Sequence, residues 1–125
     1  MKDYSGEIAF TITERREDQV LAEMPVRPGI MNPFGTVHAG AMLWFADVAA
    51  THLVLGGEDV TAGMQGFPLA INLNANLAGN QKEGTLHACA EFVKRGRTVS
   101  IVRTRVTGEG DRLLADVTTS HVASR

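Results

Sequence analysis

A single cysteine, Cys89, stands in the 125-residue chain. One thiol cannot form an intrachain disulfide, so packing must hold the fold. Neither sign of charge is in excess: 12 basic side chains face 14 acidic ones. Such a balance supplies no field that would draw nucleic acid or an anionic membrane. The opening MKDYSGEIAF lacks the apolar core of a secretory signal. No run reaches the roughly 20 clean apolar residues of a membrane helix, because Asp47 and His52 interrupt the oiliest stretch. His52, His87 and His121 have no metal-ligand spacing, and no metal site is expected. These absences point to one cytoplasmic domain, 1–125, acting on a small molecule or another protein.

What is present is periodic. Ile8, Phe10 and Ile12 alternate with polar or small residues, and Val20, Ala22 and Met24 with Leu21 and Glu23, predicting two strands joined by the turn ERRED. The loop VRPGIMNPFGTV delivers the chain to an apolar run that reads as a buried helix starting near Ala39 and stopped by Gly56 and Gly57. Glycine-rich GEDVTAGMQG reads as a loop. In AINLNANL, Ile71, Leu73, Ala75 and Leu77 share one face and Asn72, Asn74 and Asn76 the other, so the apolar face should meet the helix. GTLHACAEFV, RTVSIVRTRVTG and RLLADVTTSHVA then form a meander with turns at 94–97 and GEGD. One long helix, apolar on nearly every side, can bury itself only if the six strands form one antiparallel sheet that curls about it.

Inside that helix stands one acid, Asp47. A carboxylate taken into an apolar interior without partners costs several kcal/mol or shifts its pKa. It must be solvated, paired with an arginine such as Arg103 or Arg105, or used.

The pattern Asn32-x-x-Gly35-x-x-His38-Ala39-Gly40 followed by Asp47 resembles the signature of hotdog-fold acyl-CoA thioesterases of the phenylacetate-degradation type. The resemblance follows the element order of the whole chain and is concentrated in residues 32–47. It implies an α+β hotdog fold and the hydrolysis of acyl-CoA or aryl-CoA thioesters to free acid and CoA, with the thioester as substrate and no cofactor. Asp47 would be the general base or nucleophile. The first NH groups of a helix lack internal partners and sit at its positive end, and the resemblance assigns the NH of Ala39 as oxyanion donor. Relatives usually carry glycine there. Asn32 would orient water or the thioester, His38 would fix the loop, and Thr51, one turn past Asp47, would hold the carboxylate or a water.

Each residue also has a plainer role. Asn32 before a proline makes turns, His38 at a helix start caps it, and a mid-helix threonine bonds to its own backbone. Nine residues of helix, about 13 Å, separate His38 from Asp47, so they cannot act on one carbonyl within a chain. Resemblance to the family resolves this with sites shared across a homodimer or a dimer of dimers. The turn around Arg95, Gly96 and Arg97 resembles the basic turn near the pantetheine entrance of related thioesterases and would contact CoA phosphates. Some relatives carry a serine or threonine where Ala70 stands, with Gln65 a distant substitute. Met31, Phe34, Met42 and Trp44 are expected to shape an apolar acyl pocket, and Cys89 to be a small buried thiol. The histidine-phenylalanine-proline-glycine pattern of hotdog dehydratases is absent, leaving a non-catalytic acyl-CoA-binding or regulatory hotdog protein as the alternative.

Overall fold

The computed structural model describes residues 2–57 and 65–123. Most of the predicted loop GEDVTAGMQG, residues 58–64, lies outside them. The elements are β1 (Thr11–Arg15), β2 (Gln19–Pro25), α1 (Ala39–Leu55), β3 (Pro68–Leu77), β4 (Thr85–Lys94), β5 (Val99–Thr107) and β6 (Leu113–Ala123). Two strands, one helix and four strands follow the predicted order. They form one antiparallel sheet in the order β1-β2-β4-β5-β6-β3.

The helix touches all six strands. Met42, Phe45, Ala46, Ala49, Ala50 and Leu53 are sealed against Val20, Met24, Leu86, Val102, Val106 and Val117 of the sheet. Three alanines on that side let the backbone approach the sheet closely, and Phe45 fills the space beside them, a burial worth about 1.5–3 kcal/mol. The helix ends where Gly56 adopts φ 74°, which a residue with a Cβ takes only at a cost.

Two expectations are corrected. The first strand begins at Thr11 rather than near Glu7, and Ile8 is 37% exposed. Glu7 instead donates its amide to Gly29 O, so this stretch follows the pre-helix loop rather than β2. The apolar face of β3 is also not covered by the helix: Ile71 is 60%, Leu73 42% and Leu77 53% exposed. β3 is an edge strand paired only with β6, and the helix lies over the middle of the sheet, so only Ala75 reaches the core. A bulge between Ala70 and Asn72 shifts the alternation, placing Ala70 and Leu73 on the same side as His121 and Thr119, their β6 partners.

Candidate active site

The approach to the helix is built by its own polar side chains. Asn32 Oδ1 accepts from the amides of Phe34 (3.0 Å) and Thr36 (3.2 Å), while its Nδ2 donates to Thr36 Oγ1 at 2.8 Å. Gly35 closes this turn at φ 77°. Asn80 then grips Val37 from both sides, accepting from its N–H at 2.8 Å and donating to its carbonyl at 2.9 Å. His38 is the helix cap: its backbone is extended and its Nδ1 accepts from Gly40 N–H at 2.9 Å. The remaining donor is Ala39 N–H, for which nothing among the described residues accepts. Ala39 has negative φ, since Asp111 alone among the described non-glycine residues has a positive one. An alanine therefore presents this NH without strain. The side chain of Asn32 is fully engaged in its own turn.

Two turns along the helix, Asp47 is half-buried, with Oδ1 closed to solvent and without a hydrogen-bond partner. Burial pushes its carboxyl above the ordinary range, and His121 acts in the opposite direction. Arg103 does not supply the missing partner. It holds Asp116 through Nε–Oδ1 (2.9 Å) and Nη2–Oδ2 (2.5 Å), and Asp116 lies on the face of β6 turned away from the buried Val117 and Thr119. Thr51 Oγ1 donates to the main-chain carbonyl of Asp47 at 2.9 Å, so it serves the helix backbone and not the carboxylate.

Eight residues of helix place Asp47 about 12 Å from Ala39. A groove of about 1180 Å³ opens between the N-terminal residues 3–6 and the helix start, lined among others by Arg27, Met31, Asn32, His38, Ala41 and Lys82. Asp47 is not among its walls. Of the expected acyl-pocket residues only Met31 lines this groove. Phe34 is 87% exposed, Met42 is in the core, and Trp44 packs edge-on against Phe10 at 4.8 Å.

In the basic turn, Arg95 lies 4.4 Å above the Phe92 ring and pairs with Glu17 at 3.5 Å. Gly96 sits where a Cβ would collide with Val99 O at 2.0 Å, so the turn demands glycine. Arg97 is exposed. Cys89 accepts from Gln19 Nε2 at 3.2 Å, and burial followed by Glu91 pushes its thiol up, away from the nucleophilic thiolate. Gln65 and Ala70 are exposed, and Ala70, paired with His121 on β6, carries no hydroxyl.

Considering histidines only as metal ligands missed His121. It is buried on the inward face of β6, with Nε2 2.8 Å from Thr119 Oγ1 and Nδ1 3.5 Å from Pro68 O. The alternation Ala115, Val117, Thr119, His121 carried that signal, because it assigns His121 to the face that meets the helix.

A single long helix enclosed by one six-stranded antiparallel sheet defines a hotdog domain. The chain belongs to the family described as "Domain of unknown function (DUF4442)", whose model matches residues 1–106. It is 31% identical over 107 residues to "Putative esterase ComA2" of Bacillus subtilis (strain 168), covering 86% of this chain and 82% of that one. A 1,4-dihydroxy-2-naphthoyl-CoA hydrolase of Listeria monocytogenes is 22% identical over 86% of this chain and 84% of its own. Among solved structures, a thioesterase from Staphylococcus aureus superposes with TM-score 0.85 at 22% identity, covering 93% of each chain. A hypothetical thioesterase from Streptococcus pneumoniae TIGR4, solved with coenzyme A, gives TM-score 0.80 at 18% identity over 93% of this chain and 86% of that one. No helix among the described residues is long and apolar enough to cross a membrane.

Proposed function

We propose that this protein hydrolyses acyl-CoA or aryl-CoA thioesters to the free acid and CoA, the class of reaction named for its hydrolase relative. The observation that carries this reading is Asp47: a carboxylate in an apolar helix, with one oxygen buried and unpartnered. A fold retains such a group at a cost in stability, and perturbed acids of this kind concentrate at reaction centres. As general base, Asp47 takes a proton from water as the water oxygen bonds to the thioester carbon. The carbonyl oxygen becomes an oxyanion received by the free Ala39 N–H at the positive end of the helix. The C–S bond then breaks and the thiolate leaves with a proton. As nucleophile, the same carboxylate would form an anhydride that water cleaves.

Because Ala39 and Asp47 lie about 12 Å apart on one helix, each site combines the helix start of one protomer with Asp47 of another. The partner edge is β3, whose exposed Leu69, Ile71, Leu73 and Leu77 accompany a row of unpaired backbone groups. The groove at the helix start admits the acyl or aryl group. CoA phosphates meet Arg97 and Arg95 at the turn around Gly96. His38 and Asn32 hold the oxyanion loop, and Thr51 stiffens the helix beside the acid.

Purified protein assayed against short, medium, long and aromatic CoA thioesters tests this reading. Turnover of at least one class is expected, with Asp47→Asn lowering kcat by about 10²-fold or more while the far-UV spectrum stays parental. Parental kcat in that variant would remove Asp47 from the mechanism. A parent that binds CoA esters and hydrolyses none would favour the binding-protein alternative.

A further inference from the structure

The chain before β1 packs on the pre-helix turn and leaves apolar side chains of its own outside the core. Glu7 N–H donates to Gly29 O at 3.0 Å, and at this seam the two backbones are in contact. A Cβ on Gly6 would stand 2.7 Å from Gly29 O, and one on Gly29 would stand 2.7 Å from Glu7 O. Both obstacles are backbone atoms, so the seam closes only with glycine on each side. Further along, the Phe10 ring sits edge-on to Trp44 at 4.8 Å and to Phe45 at 5.0 Å. Pinned at these two places, the segment borders the groove at the helix start, which Tyr4, Gly6 and Ile8 line. His38 and Gly40, the neighbours of Ala39, line the same groove. One turn holds both sides in place, because Ile30 O, one residue past the seam, accepts from His38 N–H at 2.8 Å. The segment therefore has a set position relative to the Ala39 N–H. Tyr4 is 90% exposed and Ile8 also lies at the surface, and neither joins the core. A fixed segment that lines a groove with an aromatic ring and a branched aliphatic chain has apolar surface left for a ligand.

We propose, on the reading that this groove admits the acyl group, that residues 4–8 form its acyl-binding wall, with Tyr4 and Ile8 selecting aryl or medium-chain acyl groups over short ones. A thioester carbonyl at the Ala39 N–H lies between His38 and Gly40, so its acyl substituent enters a groove of about 1180 Å³. An acetyl group fills little of that space and leaves Tyr4 and Ile8 wet. A ring or a chain of several carbons removes them, and Met31 on the pre-helix loop, from water. The wall touches a part of the substrate that does not react. Its contribution is therefore the same in the ground and transition states and enters KM more than kcat.

Hydrolysis of octanoyl-CoA and benzoyl-CoA, compared with that of the shortest ester the full chain turns over, tests the wall in two variants. Tyr4→Ala removes the ring. Gly6→Val keeps Tyr4 and Ile8 but forces the seam apart at Gly29 O. In each variant the ratio of kcat/KM for the large esters to that for the short one should fall by about tenfold, chiefly through KM. Both changes lie outside the core, so circular dichroism should stay parental. An unchanged ratio in Tyr4→Ala overturns the proposal and leaves the hydrolase reading standing. A ratio that rises makes the segment a barrier and overturns the proposal as well. A fall in Tyr4→Ala with a parental ratio in Gly6→Val overturns the role of the seam in placing the wall. Where turnover is absent or confined to one ester, calorimetry with the octyl thioether of CoA and with free CoA decides. An affinity ratio of thioether to free CoA that falls about tenfold in Tyr4→Ala sustains the wall in a protein that binds without hydrolysing, and an unchanged ratio overturns it.

Discussion

In the proposed reaction Asp47 sets function against stability at one residue. Its carboxyl is raised by burial, so the folded protein resists an ionisation that the unfolded chain completes near the ordinary value of 3.8. An acid raised in the fold subtracts stability above its folded pKa, and the penalty disappears below the unfolded one. Asp47→Asn should therefore melt higher than the parent at pH 7, with the gap closing as pH falls through the raised folded value and gone once pH is below 3.8. Thermal melts across that range check it, and a gap independent of pH would contradict the assigned cause. Ala39 offers a backbone test. Ala39→Gly keeps the NH and should leave kcat within a few-fold, whereas Ala39→Pro removes it at a first helical position where proline fits. His38 already has φ −63°, ψ 135°, the conformation proline imposes on its predecessor. Ala39→Pro should cost about 10² to 10³ in kcat with CoA binding retained; parental turnover in a folded Ala39→Pro protein would end the oxyanion assignment. Asp47 and Ala39 were legible in the sequence because an acid in an oily helix and a helix start after a capping histidine are local patterns. For His121 the alternation of β6 gave the inward face, but not the partners of its ring, Pro68 O and Thr119 Oγ1, which depend on how the strands are paired. The engagement of Asn32 and Thr51 with their own backbone is local too, and the plainer reading of each residue type describes it.

At the scale of elements, periodicity located every strand of the meander to within a residue or two. It could not tell how far the helix extends sideways across the sheet. β3 has the alternation of a half-buried strand, yet its apolar side projects beyond the helix because strand order, not sequence order, sets the edge. In a monomer that edge would be exposed to association. Leu73→Lys, placing a charge on this face, should convert the protein to a monomer and abolish turnover while α1 and its core remain intact. Light scattering and circular dichroism follow the two effects. A dimeric, active Leu73→Lys protein would move the interface elsewhere. The start of β1 was misjudged for a related reason: Ile8 and Phe10 alternate like strand residues, but the amide of Glu7 finds its acceptor in the pre-helix loop.

For the whole molecule, the proposal makes a folded protomer an incomplete enzyme. The helix start and the acid are held rigidly apart by the helix that carries both, so only a second copy can bring them to one carbonyl. Two variants, each disabled in one half of the site, separate this arrangement from a site contained in one chain. Asp47→Asn and Ala39→Pro protomers, nearly inactive apart, are co-refolded so that they exchange partners. In a mixed dimer one site receives the intact Ala39 of the first variant and the intact Asp47 of the second, while the other site receives both lesions. Random pairing in equal amounts makes half the dimers mixed, so about a quarter of parental kcat should return. Activity that stays at the average of the two variants, in a sample shown to contain mixed dimers, would contradict the shared site.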